Sequence, residues 1–441
     1  MMNGCLKAVG AGVLLAALGA VAAEDMSSET LLAAADPGKS EFYPGGRDAY
    51  YPGAAFGKDT WLVVWQAGRM QEADIVACRV AKDGKVLDAK PFTVSSAADD
   101  QERPKIAFAP STSSGQGNGV FLAVWSDLRN GKDYDVFAAR ITPDGKVLDP
   151  DGILISGGPH NQVKPRLAFD GETFVVAWMD YRSDRAYQVY AARVAADGKV
   201  LDPDGIAVGK APGFEPAVAS PGGGRSLIAL AVPADPQRDG FAGFFLQGGK
   251  PMPEQVAAHL PGAKPDFFPR GLNSYRSAAW GKNGYLLVCQ NYIPAGRAGI
   301  QCNSDAMIIH PDGVREPFIS VSGKPHRTVF PDVVWDGTSY VVSWTDPTDN
   351  QGAGDINVSR GVYSRLYASR LDETGKLLTP PGAPIAVAGT LDNPAQRPAL
   401  ATDGAGHTLI AYERHPDKSD VPIKIGFRIL SGSQKPADAH E

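Results

Sequence analysis

The chain has 441 residues and a formal charge of −6, with 43 Lys and Arg against 49 Asp and Glu. That balance argues against nucleic acid as a partner, which needs a clustered positive footprint. Fifty Gly, 35 Pro and only 21% charged residues fit a turn-rich all-β chain rather than a disordered one.

Residues 1–23 have the layout of a secretory signal peptide: a charge at Lys7, an apolar run from Ala8 to Leu18, and small residues from Ala20 to Ala23 before Glu24. The run is short for an uncleaved membrane anchor, and Cys5 precedes it, which argues against lipid attachment after cleavage. A secreted, periplasmic or envelope-associated protein with no membrane span after cleavage is expected. Residues 24–50 are polar and Gly/Pro-containing around one small apolar run, Thr30 to Ala35.

From Pro52 onward the chain repeats itself, which is the first property to test in any sequence. Unit one spans about Pro52 to Val94, unit two Pro104 to Ile155 and unit three Pro165 to Ile206. In unit three the apolar runs are Pro165 to Phe169, Thr173 to Trp178, Gln188 to Val194 and Val200 to Val208. They are too short for helices and rich in Val, Phe, Tyr and Trp. Asp170-Gly171 and Asp197-Gly198 supply tight turns between them. Each unit therefore reads as a four-stranded antiparallel meander, with strands A, B, C and D. Proline opens strand A at Pro52, Pro104, Pro165, Pro216, Pro331 and Pro398, and Arg276 to Trp280 fills the fifth place without one. The spacing of roughly 50 to 67 residues predicts a seven-bladed β-propeller over 51–431. Residues 432–441 form a polar tail. The last unit has no D strand of its own, so Thr30 to Ala35 is a candidate to close the ring.

Residues that recur serve the blade, whereas singular ones are free for other work. Trp65, Trp125, Trp178 and Trp344 recur at the end of strand B and read as blade packing. Arg79, Arg140, Arg193, Arg370 and Arg428 recur on strand C, and Asp127, Asp180 and Asp346 follow the tryptophan, which suggests one Asp–Arg pair per blade. The B–C and D–A loops are long and varied and share one face of a meander, where a binding site is expected. Singular residues there are Tyr292 and Arg297, then His326 and Arg327, then Asp349, Asp355, Arg360 and Tyr363, then Glu413, Arg414 and His415. Converging, they would supply acid–base chemistry on a polysaccharide; scattered, they are a solvated rim. Cys289 and Cys302 fall on either side of one hairpin, either bridged, worth about 2.5–3 kcal/mol, or two separate buried thiols. Cys78 reads as inert core. No cofactor is expected. Calcium is weighed for Asp149 to Gly152 and Asp202 to Gly205, because Asp-x-Asp-Gly offers hard oxygen ligands, but the rest of a calcium loop is missing.

The segments VVAWMDYRSD and VYAARVAADGKVLDPDGI resemble the repeats of exported bacterial proteins, mostly uncharacterised, that are expected to form β-propellers. The resemblance covers nearly all of the mature chain and implies a fold and an exported location. The spacings of WD40 and kelch repeats and the Ser-x-Asp-x-Gly-x-x-Trp turns of sialidases are not found. The expectation is a monomeric recognition module that binds a protein or glycan on its long-loop face. The alternative is a polysaccharide hydrolase or lyase using Tyr292, His326, Arg327, Glu413 and His415.

Overall fold

A computed structural model describes residues 25–35, 48–68, 72–111, 117–210, 212–235, 238–259, 276–294, 300–322, 328–347, 364–380, 382–390, 392–416 and 421–432. Among them every regular element is a strand, and the strands form seven antiparallel sheets. The fold is a seven-bladed β-propeller. Strands A of the successive blades are Ala49–Gly57, Gln101–Ala109, Gln162–Phe169, Phe214–Gly222, Arg276–Trp280, Val329–Trp335 and Ala395–Thr402. Strands A of neighbouring blades pack against each other all the way round, including the last against the first, so they surround the axis.

Six blades take all four strands from one stretch of chain. In the seventh, the outer edge of Lys424–Ser431 pairs with two short N-terminal strands, Asp25–Met26 and Thr30–Leu31. Tyr412 Oη donates to Glu29 at 2.7 Å, and Arg414 Nε lies 3.1 Å from the same carboxylate.

The cores lie between blades. Trp125 packs among Leu62, Val64 and Ile75 of blade one, Trp178 among Leu122 and Val124 of blade two, and Trp344 among Leu286 and Val288 of blade five. Trp65 packs on Leu409 and Phe427 of blade seven across the closure. One tryptophan at the end of strand B therefore fills the cleft toward the preceding sheet, burying apolar faces that a lone meander would leave wet.

The recurrent charges pair differently from the single Asp–Arg pair that the repeats suggest. Arg79, Arg140 and Arg193 on strand C bind Asp88, Asp149 and Asp202 from the C–D connection, at 2.7, 2.8 and 2.9 Å. Each of these aspartates also accepts the backbone N–H of its arginine. In blade six Thr379 takes that acceptor place and Arg370 turns instead to the buried Asp336. Asp127 and Asp180 belong to a second device. Each accepts its tryptophan Nε1, at 2.7 and 2.8 Å, and chelates Arg129 or Arg182 two residues on. Those arginines reach the carbonyls of Asp151 and Asp204. Asp149 and Asp202, weighed for calcium, are thus engaged by arginine, and no group of three or more His, Cys, Asp or Glu gathers among the described residues to hold a metal.

Of the two readings of Cys289 and Cys302, the register favours separate thiols. Strands B and C of blade five run out to Pro294 and Ile300, and this register sets Cys289 opposite Asp305 and Cys302 opposite Tyr292. Three rungs of roughly 3.3 Å each separate the two cysteines, beyond the reach of a bridge. Cys289 is a free, buried thiol. Burial pushes its pKa up to about 12, so it is expected to resist iodoacetamide in the native protein and to react once urea unfolds the chain, as read by mass spectrometry.

Candidate functional site: the axial cavity

Six of the seven A strands carry the same defect. Register shifts fall at Tyr50/Gly53, Glu102/Lys105, Val163/Arg166, Phe214/Ala217, Val329/Asp332 and Gln396/Ala399. In each, the residue before the recurring proline is left-handed: Tyr51, Arg103, Lys164, Glu215, Phe330 and Arg397 all have φ between 46° and 56°. Proline has no N–H to lose at a bulge, which explains why it sits there. The left-handed residue costs about 1 kcal/mol or more each time and persists only where neighbours hold it. Strand A of blade five lacks the proline and pairs without a shift.

The neighbour that holds it is the preceding blade. The backbone N–H of Arg103 donates to Gln66 Oε1, that of Lys164 to Ser126 Oγ, and that of Phe330 to Gln290 Oε1, at 3.4, 3.0 and 3.2 Å. Likewise the N–H of Arg397 donates to Thr345 Oγ1 at 3.0 Å, and that of Tyr51 to Glu413 Oε1 at 2.9 Å. Each acceptor stands immediately after the residue that fills the recurring tryptophan place of strand B: Trp65, Trp125, Cys289, Trp344 and Tyr412. Five latches thus stitch blade to blade, and the Glu413 latch closes the seam between the last and first blades.

These bulges aim side chains at the axis, near the end of the strands where the D–A and B–C connections lie. They line a cavity of about 190 Å³. Among the described residues six cations border it, Arg103, Lys105, Lys164, Arg166, Arg276 and Arg397, against one carboxylate, Asp332. Residues two places past the left-handed positions form a tier: Lys105 and Arg166 from blades two and three, Asp332 from blade six, and the small residues Gly53 and Ala399 from blades one and seven, while Ala217 of blade four is packed in the core. Ser277 takes this place in blade five and donates to Asp332 Oδ1 at 2.6 Å, while Leu400 N donates to Oδ2 at 2.8 Å. Gly53 lets the first blade approach the second closely here: a Cβ would meet the Pro104 carbonyl at 3.1 Å and Lys105 Cα at 3.3 Å, and its neighbours would have to give by a few tenths of an ångström.

The tier above is aromatic and cationic. The guanidinium groups of Arg103 and Arg397 lie 4.4 and 4.8 Å from the Tyr51 ring centroid, and Arg397 also lies 4.8 Å from that of Phe330. Lys164 is paired with Glu215. Lys105 Nζ donates to the Pro52 carbonyl at 3.1 Å. Burial, then the nearby positive charges of Arg166 and Arg103, bring its pKa down to about 8 despite Asp332. Its side chain is partly accessible through the cavity although protein surrounds it, so the amine is both confined and reachable.

Of the residues singled out from sequence, Glu413 and His415 come together behind this wall. Glu413 is fully buried; its Oε2 accepts Arg397 at 2.8 Å and Gln396 at 2.9 Å, and lies 3.2 Å from His415 Nε2. Glu413 is part of strand B, His407–Arg414, rather than of a loop. Tyr292 likewise lies within strand B of blade five, Tyr285–Pro294, rather than in the B–C loop. Arg297, His326, Arg327, Asp349, Asp355, Arg360 and Tyr363 lie outside the described residues, as do residues 1–24, where a signal peptide is expected, and the tail from 433. Sequence reading missed the cavity residues. The signal was present: they are the variable positions flanking the recurring prolines.

No protein-family model and no curated protein sequence matches the chain. Solved structures do. A protein of unknown function from Dyadobacter fermentans is 12% identical, with 93% of this chain and 100% of that one covered and a TM-score of 0.50. An α-L-arabinofuranosidase of Fusarium graminearum with arabinobiose is 10% identical over 92% and 98%, at 0.47. The likeness is one of fold. Activity resides in grafted sites, which fold does not carry across. No helix among the described residues is long and apolar enough to cross a membrane.

Proposed function

We propose that the protein is an exported recognition propeller that binds a glycan end in its axial cavity, on the face of the D–A and B–C connections. The observation that carries this reading is the cavity itself: it is walled by hydrogen-bonding cations and two aromatic rings, Tyr51 and Phe330. Its volume of about 190 Å³ suits one sugar-sized group, below the roughly 300–1,000 Å³ of drug-sized sites. A two-carboxylate glycoside hydrolase is less well supported. Among the described residues the cavity presents only Asp332, with both oxygens already accepting hydrogen bonds, and Glu413 is turned into the seam. The test is a glycan panel scored both for binding and for new reducing ends or unsaturated products. Binding without turnover, lost in Phe330→Ala, is expected; turnover abolished by Asp332→Asn would replace this reading with an enzymatic one. Export is checked by N-terminal sequencing of the mature protein, which should begin at Glu24.

A further inference from the structure

The cavity has a polarity that narrows its ligand further, given the reading of it as the ligand site. Blades two and three each place one cation before the proline and another two residues later, Arg103 with Lys105 and Lys164 with Arg166. Four cations thus occupy one arc of the wall, one of them, Lys164, already paired with Glu215. The opposite side holds Asp332, fixed by Ser277 and Leu400, with Arg276 and the Glu413-paired Arg397 on the blades flanking it, and the small residues Gly53 and Ala399 also line the wall. The molecule as a whole is acidic, at −6, so this arc is a local reversal of sign inside low-dielectric walls, which focuses field on the axis.

We infer that the axial cavity recognises a hydroxylated carboxylate, a sugar acid such as a terminal uronate, with its carboxylate toward Lys105 and Arg166 and a hydroxyl toward Asp332. Arginine and lysine beside each other match a carboxylate's two oxygens with charge-assisted donors. A fixed carboxylate across the cavity accepts from a hydroxyl and repels a second anion, so a small acid bearing one charge fits better than a dianion. The state of Lys105 agrees with this. Its ammonium donates to a neutral carbonyl, and its neighbours in the cavity are the cations Arg103, Lys164, Arg166, Arg276 and Arg397 with Asp332. An anion bound beside it relieves that repulsion, so that Lys105 Nζ holds its proton to higher pH while the ligand stays a carboxylate.

Calorimetry on the full-length mature protein at low salt tests this, with glucuronate, galacturonate, glucose, galactose and inorganic phosphate as probes. The sugar acids should bind, and the neutral sugars at least about tenfold more weakly. Affinity should fall with added salt, and Lys105→Met and Arg166→Gln should each lower it about tenfold or more. NMR of isotopically labelled lysine in the unmutated protein should show the Lys105 titration near pH 8 move upward when glucuronate is added, a readout that does not depend on variants folding. Neutral sugars binding as well as the acids, with no loss in Lys105→Met, would overturn the inference and leave glycan recognition standing. Phosphate binding as tightly as the sugar acids would overturn the hydroxy-acid assignment. Sugar-acid binding that leaves the Lys105 titration unmoved would place the ligand elsewhere and overturn it too. Failure of every probe, together with a blank glycan panel, would remove both readings.

Discussion

Glu413→Ala should lower the stability of the whole propeller by about 3–5 kcal/mol, the loss expected when a buried ion pair is left with one member. Arg397 would keep its charge with its partner removed, and the Tyr51 N–H would lose the acceptor that holds a left-handed residue at the seam. Chemical denaturation in urea measures this. The same group predicts acid sensitivity. Burial alone would raise the Glu413 pKa, but Arg397, His415 and the Tyr51 N–H outweigh it and carry the value from 4.5 down to about 2. A carboxylate depressed on folding stabilises fully above its unfolded value, and that contribution disappears as pH falls through the folded one. The urea midpoint should therefore drop between pH 4.5 and about 2. The Glu413→Gln variant should be less stable at neutral pH and show less of that drop; an acid profile identical to that of the unmutated protein would mean that other carboxylates govern it.

Asp180→Ala should cost about 2–4 kcal/mol, because a buried indole N–H and a guanidinium lose their acceptor together. Trp178 Nε1, the Arg182 backbone N–H and Arg182 Nε all end on this one carboxylate, and the Arg182 guanidinium lies 4.0 Å from the Tyr190 ring centroid. Asp127→Ala should lose a similar amount, since blade two repeats the arrangement with Arg129 over Phe137. Ligand binding should be unchanged in both. A loss of turnover or binding in Asp180→Ala alone, with stability intact, would point to a chemical role for the dyad instead.

The blade count was legible because Trp, Asp-Gly and Pro recur at fixed places, and each has one steric or packing use. What the repeat hid was a role that recurs while its residue type changes. Gln66, Ser126, Gln290, Thr345 and Glu413 do the same job, each accepting the N–H of the left-handed residue in the next blade. Sorting by residue identity makes Glu413 look singular and available for chemistry, whereas its position is scaffold. The cavity was missed for the complementary reason. Arg103, Lys105, Lys164 and Arg166 flank prolines read only as strand openers, and no composition rule announces that lysine or arginine will adopt a positive φ there. The two cysteine readings stayed open in the residues because the centre of a long hairpin decides which rungs face each other.

The final sheet joins the earliest and latest parts of the polypeptide, with Asp25 beside Ser431 and Thr30 beside Phe427. During synthesis, blades one to six can each assemble as they emerge, but the seventh must wait for its last residues to leave the ribosome. Bringing together segments some 400 positions apart carries a loop-closure cost that no local contact offsets, so the last step of maturation should be the slow one. Until then the exposed edge of Lys424–Ser431 is an open template, and a second nascent copy offering its own leading strand would be captured there as a swapped dimer.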